Sequence, residues 1–171
     1  MLMTRSIETA RLILRPESPS DSANIHTMNC DPDVMRYVGD GRPWTSPLTQ
    51  FVEQHRRALE RSAARNWGGA CVRLKDSGQF IGLCWLAPSA LLGGRIELGY
   101  RYIRAAWGKG YATEAGLEVV RLGLDVLNLS EILSVVHLQN VARSGSSRSS
   151  ALSPPEPSRL RMAGRICRRS C

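Results

Sequence analysis

The residue types best suited to chemistry converge on one stretch, 96–115. Ile96-Glu97-Leu98-Gly99-Tyr100-Arg101-Tyr102-Ile103 reads as an apolar strand that carries one acid. Arg104-Ala105-Ala106 and then Trp107-Gly108-Lys109-Gly110-Tyr111-Ala112-Thr113-Glu114-Ala115 follow, a loop of small residues opening a helix. The first turn of a helix carries N–H groups without intrahelical acceptors and a partial positive charge, so it favours phosphate oxygens. Gly108 and Gly110 lack a Cβ and let those groups approach a ligand closely. In outline, strand, Gly-x-Gly and helix make a pyrophosphate cradle, although the same tripeptide also serves as a plain tight turn. Lys109 adds either a point charge on phosphate or a solvated loop cation. A carboxyl group in apolar surroundings holds a proton more readily than one in water, which suits a general base. Glu97 is the candidate; its structural alternative is a bridge to an arginine such as Arg101.

These groups need a scaffold, and the chain spells one out. Arg11 to Arg15 reads as a first strand. Ser18-Pro19-Ser20-Asp21 supplies an N-cap, a proline at the first helical position and an acid at the third, predicting a helix to about Asn29. Asp31-Pro32 repeats that start for a short helical piece. Ser46-Pro47 starts another helix, with Leu48, Phe51, Val52, His55 and Leu59 at helical spacing, ending near Arg65. Gly69 to Lys75 and Phe80 to Ala87 flank the turn Asp76-Ser77-Gly78 as a hairpin. Arg95 to Ile103 is the strand that feeds the loop. Thr113 to Leu127 is a helix with Leu117, Val120, Leu124 and Leu127 expected on its buried face, and Ile132 to Leu138 is a last apolar strand. The pattern is α/β (α+β): a mixed central sheet with flanking helices.

The 96–115 stretch resembles the acetyl-CoA-binding motif of the GNAT acetyltransferase superfamily, and within it the RimJ/RimL type of N-acetyltransferase. The family pattern is Gln/Arg-x-x-Gly-x-Gly/Ala; Gly110 and Ala112 fit its last two fixed positions, and Trp107 stands where Gln or Arg is usual. Glu8 to Arg15 resembles the family's opening strand, and Asp31 to Val38 its early helical segment. The resemblance covers about residues 7 to 142. It implies transfer of acetyl from acetyl-CoA to a primary amine, either a protein N-terminus or a small molecule. The pantetheine arm would pair like an extra strand with Leu98, Gly99, Tyr100, Tyr102 and Ile103. The pyrophosphate would meet the amides of Trp107, Gly108, Lys109, Gly110, Tyr111, Ala112 and Thr113. Asn140 would contact the cofactor near its thiol end, and backbone N–H groups near Leu98 to Tyr100 would stabilise the oxyanion. His137 ends a strand just before Asn140 and is a second candidate for proton transfer, whereas His26 and His55 are expected at the surface or boundary of helices.

The basic balance does not change this reading. The formal net charge is +8, but residues 143–171 carry +6 of it, leaving +2 for residues 1–142. A basic tail invites nucleic acid, yet this one has no aromatic residue for base stacking, so no nucleic-acid partner is expected. Of five cysteines none forms Cys-x-x-Cys, and no metal site is expected; Cys71 and Cys84 read as core residues. No stretch approaches the ~20 apolar residues of a membrane span, so a cytoplasmic enzyme without a membrane partner is expected. A dinucleotide-binding βαβ unit is disfavoured because the Gly-rich loop comes late in the chain rather than after the first strand.

After Ala142 the character changes. Residues 143–171 hold eight Ser, seven Arg and three Pro. This composition predicts a disordered basic tail after an incomplete GNAT-like domain at 1–142, with the family's closing strands missing. Asn-x-x-Ser also breaks, since Arg143 follows Asn140 at that spacing. The family's usual tyrosine acid has no counterpart, because no Tyr follows Tyr111. A change of reading frame near codon 143, or an equivalent degeneration, would account for the switch, and a genuine basic tail is the alternative; the alternative function is a non-catalytic remnant with weak or no acetyl-CoA binding.

Overall fold

In the computed structural model the described residues are 6–64, 68–137 and 140, with the backbone of 160–167. Seven strands form one sheet in chain order: β1 (Ile7–Glu8), β2 (Leu12–Pro16), β3 (Gly68–Leu74), β4 (Phe80–Pro88), β5 (Ile96–Tyr102), β6 (Glu131–His137) and β7 (Leu160–Cys167). Every neighbouring pair is antiparallel except β5 and β6, which are parallel. The helices are α1 (Ser22–Cys30), α2 (Pro32–Met35), α3 (Leu48–Ala64) and α4 (Tyr111–Arg121). The mixed α/β architecture and most element positions are those the sequence predicts.

Alternation along β5 decides what the sheet offers each side. Leu98 and Tyr102 join the α4-side core with Leu12, Leu14, Leu86, Ala115 and Val119, while Tyr100 packs against it. Leu12 and Leu14 are fully buried there, each contributing about 2 kcal/mol. Glu97, Gly99 and Arg101 take the opposite face, under α1 and α3, where Ile25, Met28, Phe51, Cys71 and Leu83 form a second core. Gly99 is required on that face: a Cβ there would sit 2.2 Å from ring carbons of Trp85.

Helix α4 packs by smallness. Ala115, Gly116, Val119, Val120 and, in the π-turn that ends it (Leu122–Val126), Gly123 are buried. A Cβ on Gly123 would come within 2.7 Å of Ile132 and 2.8 Å of Leu86. The expected face is corrected here: Leu117 is 56 % exposed. Helical spacing fits either choice, and the small residues win because they let the helix backbone approach the sheet. Likewise on α3, Phe51 and His55 are buried, but Leu48 and Val52 are exposed.

Segment 143–171 also departs from its composition. Leu160–Cys167 runs antiparallel to β6, pairing from Glu131↔Cys167 to His137↔Leu160 with a bulge at Ser134/Val135. For these eight residues the expectation of a tail without regular structure is corrected: they form one strand beside β6, where a closing pair was expected to be missing. Leu160, Met162, Gly164 and Ile166 alternate with Arg161, Ala163, Arg165 and Cys167, a period-two pattern that bulk composition hides. The rest of the expected tail, 143–159 and 168–171, lies outside the described residues.

Candidate functional site

The sheet parts at one place. Strands β5 and β6 share a single residue pair, Glu97↔Leu133. Toward their C-terminal ends the two parallel strands form no further pair. The Ile103 N–H donates to the Ile81 carbonyl at 2.9 Å, so the odd-numbered backbone groups of β5 serve β4. By alternation the groups of 98, 100 and 102 face β6 and the gap.

A cleft of about 550 Å³ opens at that gap. Its floor is Tyr100, Arg101 and Tyr102; one wall is Trp107, Gly108 and the first turn of α4; Asn140 lies at the far side. Gly110 caps α4 with φ +79°, and Gly108 has φ +72°. Both values lie in the left-handed region that glycine enters without penalty. A Cβ on Gly108 would meet nothing within 4 Å, so backbone conformation, rather than crowding, is what requires glycine there. The N–H of Glu114 bonds to the Gly110 carbonyl at 3.0 Å. Tyr111, Ala112 and Thr113, which precede it, carry the first-turn N–H groups that lack intrahelical acceptors, and all three line the cleft. The Tyr102 hydroxyl is buried without a hydrogen-bond partner, and burial lifts its pKa well above that of an ordinary phenol.

The loop is pinned from the far end of the chain. The Glu114 carboxylate accepts the Thr9 hydroxyl, the Arg11 N–H at 2.9 Å and Arg11 Nε at 2.7 Å. Arg11 Nη1 donates to the Lys109 carbonyl at 3.0 Å, and its guanidinium lies 4.6 Å from the centre of the Tyr111 ring. Burial pushes the Glu114 pKa up, but the bonds from Thr9 and Arg11 outweigh it and hold the group below its ordinary value. On the other side of the loop, Trp107 Nε1 donates to the Tyr102 carbonyl at 2.9 Å.

Of the residues marked out by sequence, Tyr100, Tyr102, Trp107, Gly108, Gly110, Tyr111, Ala112, Thr113 and Asn140 line the cleft together. Leu98, Gly99, Ile103, Lys109 and Glu97 do not. Leu98 is buried in the α4-side core, Gly99 lies under Trp85, and Ile103 borders a smaller pocket between α1 and Arg104. Lys109 is exposed and contributes its carbonyl to Arg11. Glu97 stands half-buried at the vertex where β5 and β6 meet. Its structural alternative fails at the partner: Arg101 Nη1 donates to Asn29 Oδ1 instead.

The α2 turn supplies cleft residues that sequence reasoning missed: Asp33, Val34, Arg36, Tyr37 and Val38. Their signal was the Asp31-Pro32 cap, which fixes α2 (Asp33 N–H to Asp31 Oδ1, 2.8 Å) but says nothing about where it docks. The Tyr37 and His137 rings lie tilted by 31°, their centres 5.1 Å apart. His55 corrects another expectation. It is buried, with Nδ1 2.7 Å from Ser22 Oγ and Nε2 2.7 Å from Glu17 Oε1. His26 is half-buried, with Nε2 2.8 Å from the Ser46 carbonyl. No helix among the described residues is long and apolar enough to cross a membrane.

Comparison with known proteins places this geometry. The acetyltransferase (GNAT) domain profile matches residues 11–145. FsC-acetyl coenzyme A-N(2)-transacetylase of Aspergillus fumigatus is 29 % identical over 144 residues, covering 80 % of this chain and 60 % of the relative. The chain thus spans less than two thirds of that relative's length. The uncharacterized N-acetyltransferase p20 of Bacillus licheniformis is 30 % identical over 139 residues, covering 79 % and 75 %. Among solved structures, an acetyltransferase from Agrobacterium tumefaciens superposes with a TM-score of 0.71 at 21 % identity, covering 96 % of this chain and 95 % of that one. RimL, a ribosomal alpha-N-protein acetyltransferase in complex with coenzyme A, gives 0.66 at 12 % identity, covering 82 % and 80 %. With a parted parallel strand pair, a left-handed glycine cap at the mouth of the cleft and a matching profile over most of its length, this chain belongs to the GNAT acetyltransferase domain family.

Proposed function

We propose that this protein transfers acetyl from acetyl-CoA to a primary amine, in the manner of the RimJ/RimL-type N-acetyltransferases, and that it works in the cytoplasm. The acceptor is a protein N-terminus or a small-molecule amine. The observation that carries the reading is the single-pair junction Glu97↔Leu133 with a Gly-capped helix start at its open end. The residues present fit the donor. The first-turn positions Tyr111 to Thr113, the left-handed glycines and the buried, unpartnered Tyr102 hydroxyl border a cleft of about 550 Å³, within the range of small-molecule sites. The thioester supplies an activated acyl carbon when bound.

The chain's own residues supply the rest. The α4 start and the Trp107–Gly110 loop hold pyrophosphate through backbone N–H groups. The β5 edge facing the gap orients the pantetheine arm, and Asn140 lies where the opposite side of the arm would pass. Glu97, at the vertex, takes a proton from the attacking amine, directly or through water. The Leu98 N–H serves the Glu97↔Leu133 pair, so the next one facing the gap, that of Tyr100, is the candidate oxyanion donor. Since splay, loop and cleft coexist, the non-catalytic alternative is not favoured.

The test is a thiol-release assay of the full chain with acetyl-CoA and a panel of amine acceptors. Glu97→Gln should lower kcat at neutral pH by about 10²-fold while leaving coenzyme A affinity, measured by calorimetry, nearly constant. Turnover by Glu97→Gln equal to wild type would remove Glu97 from the reaction.

A further inference from the structure

Arg101 is a half-buried cation without a counter-ion in contact. It sits on the α1-facing side of β5 and lines the cleft floor. Its Nη1 donates to Asn29 Oδ1, and its Nε is buried with no hydrogen-bond partner. No carboxylate among the described residues lies within ion-pair distance of it. The contrast with its neighbours is sharp. Arg15 Nη1 is 2.9 Å and Arg73 Nη2 3.2 Å from Asp21 carboxylate oxygens, and Arg104 pairs with Asp33. Glu17, whose charge reaches Arg101 from a distance, is instead in contact with His55. Burial pulls the Arg101 pKa below the ordinary arginine value, and the Glu17 charge only opposes that pull.

Burying the Nε end of a guanidinium without an acceptor for it is costly. The planar fork also suits carboxylate and phosphate. Its neutral neighbour Asn29 is itself buried at 4 % exposure, so it orients the guanidinium without neutralising it. Arg101 lies on the same face of β5 as Glu97, four residues along, on the side opposite α4. It lines the cleft with Val34, Arg36 and Tyr37 from the α2 side, about 13 Å along the strand from the vertex.

Building on the acetyltransferase reading, we propose that Arg101 selects the acceptor: the substrate is an amine that also carries a carboxylate or phosphate group, and Arg101 receives that anion. The group completes the pair that the protein leaves open, and it positions the amine of the same molecule toward Glu97. Arg101 is thus a specificity residue, and its removal changes which acceptor is used more than how fast acetyl moves.

Matched acceptor pairs test this on the full chain: β-alanine against β-alanine amide, and phosphoethanolamine against ethanolamine, with rates corrected to the free-base amine. Wild type should favour the anionic member of at least one pair by roughly tenfold to a hundredfold in kcat/KM, and the pair that discriminates identifies carboxylate or phosphate. In Arg101→Gln the ratio should fall toward one, with an intermediate ratio in Arg101→Lys. Equal use of both members by wild type, or a preference that survives Arg101→Gln, overturns the proposal. So does a variant that raises the acetyl-CoA KM with the acceptor ratio unchanged, which would assign Arg101 to the donor. No transfer to any amine would count against the acetyltransferase reading itself. The anion site is then decided by ¹H–¹⁵N resonances of the Arg101 Nε–H, identified by its absence in Arg101→Lys. A shift on titration with β-alanine or phosphoethanolamine, but not with the neutral partners, supports the site; a stationary signal overturns it.

Discussion

Glu114→Ala should loosen the phosphate-binding loop from a distance. The carboxylate is 17 % exposed and accepts three bonds, from the Thr9 hydroxyl, the Arg11 N–H and the Arg11 guanidinium. A hydrogen bond to a charged group contributes ~1.5–3 kcal/mol when shielded. Arg11 is half exposed at 50 %, so its share of the ion pair is discounted to under ~1 kcal/mol. The Thr9 and Arg11 N–H bonds bring the expected loss to about 2 kcal/mol. In a chain of this size that is roughly 4–8 °C in Tm. The same change frees Arg11 from its carboxylate anchor, and with it the tie to the Lys109 carbonyl. Coenzyme A affinity should therefore fall several-fold, although Glu114 does not line the cleft. Thermal unfolding and calorimetric titration of Glu114→Ala, Arg11→Ala and the double variant measure both effects. Coupling of at least ~1 kcal/mol between the two sites is expected. Strict additivity, or unchanged Tm and unchanged coenzyme A affinity in Glu114→Ala, would refute the clamp.

Three further outcomes follow from the structure. Gly110→Asp should abolish measurable coenzyme A binding while Gly110→Ala only weakens it; both face φ +79°, but Asp enters that region more readily than Ala, so a larger loss with Asp isolates the charge. Gly99→Ala places a Cβ 2.2 Å from the Trp85 indole and should destabilise by ~1–3 kcal/mol, visible in chemical denaturation with a shift in tryptophan fluorescence. Burial pushes the Asp21 pKa up, but Arg15, Cys71 and Ser18 outweigh it and hold it at about 2. That stability is present above the unfolded carboxylate pKa near ~4 and is lost as pH falls toward 2; Asp21→Asn should flatten this part of the acid-unfolding curve, and an unchanged curve would show that Asp21 is not its source.

What could be read from the sequence was local. The Asp76-Ser77-Gly78 hairpin, the capped starts at Ser18 and Asp31 and the Gly108–Gly110 loop carry their signals within a few residues. The clamp was not legible, because Glu114 and Arg11 stand 103 residues apart and each looks like an ordinary surface charge. The buried face of α4 is not legible from its large side chains, because Gly116 and Gly123 mark the close approach. His55 looked like a boundary residue because its partners Glu17 and Ser22 come from a different part of the chain. Leu160–Cys167 was hidden by the Ser, Arg and Pro around it.

The single-pair junction also bears on handling the protein. A continuous seven-stranded sheet has two edges, but one that parts after Glu97↔Leu133 exposes two more inside its own cleft. Inner edges offer the same template for a foreign strand as outer ones, and on its α4 face the β5 side reads Leu98, Tyr100 and Tyr102, with no charge. A ligand seated in the gap occupies those edges. Coenzyme A added during purification should therefore suppress self-association at concentrations that saturate the cleft, and protein kept without it should associate through the split.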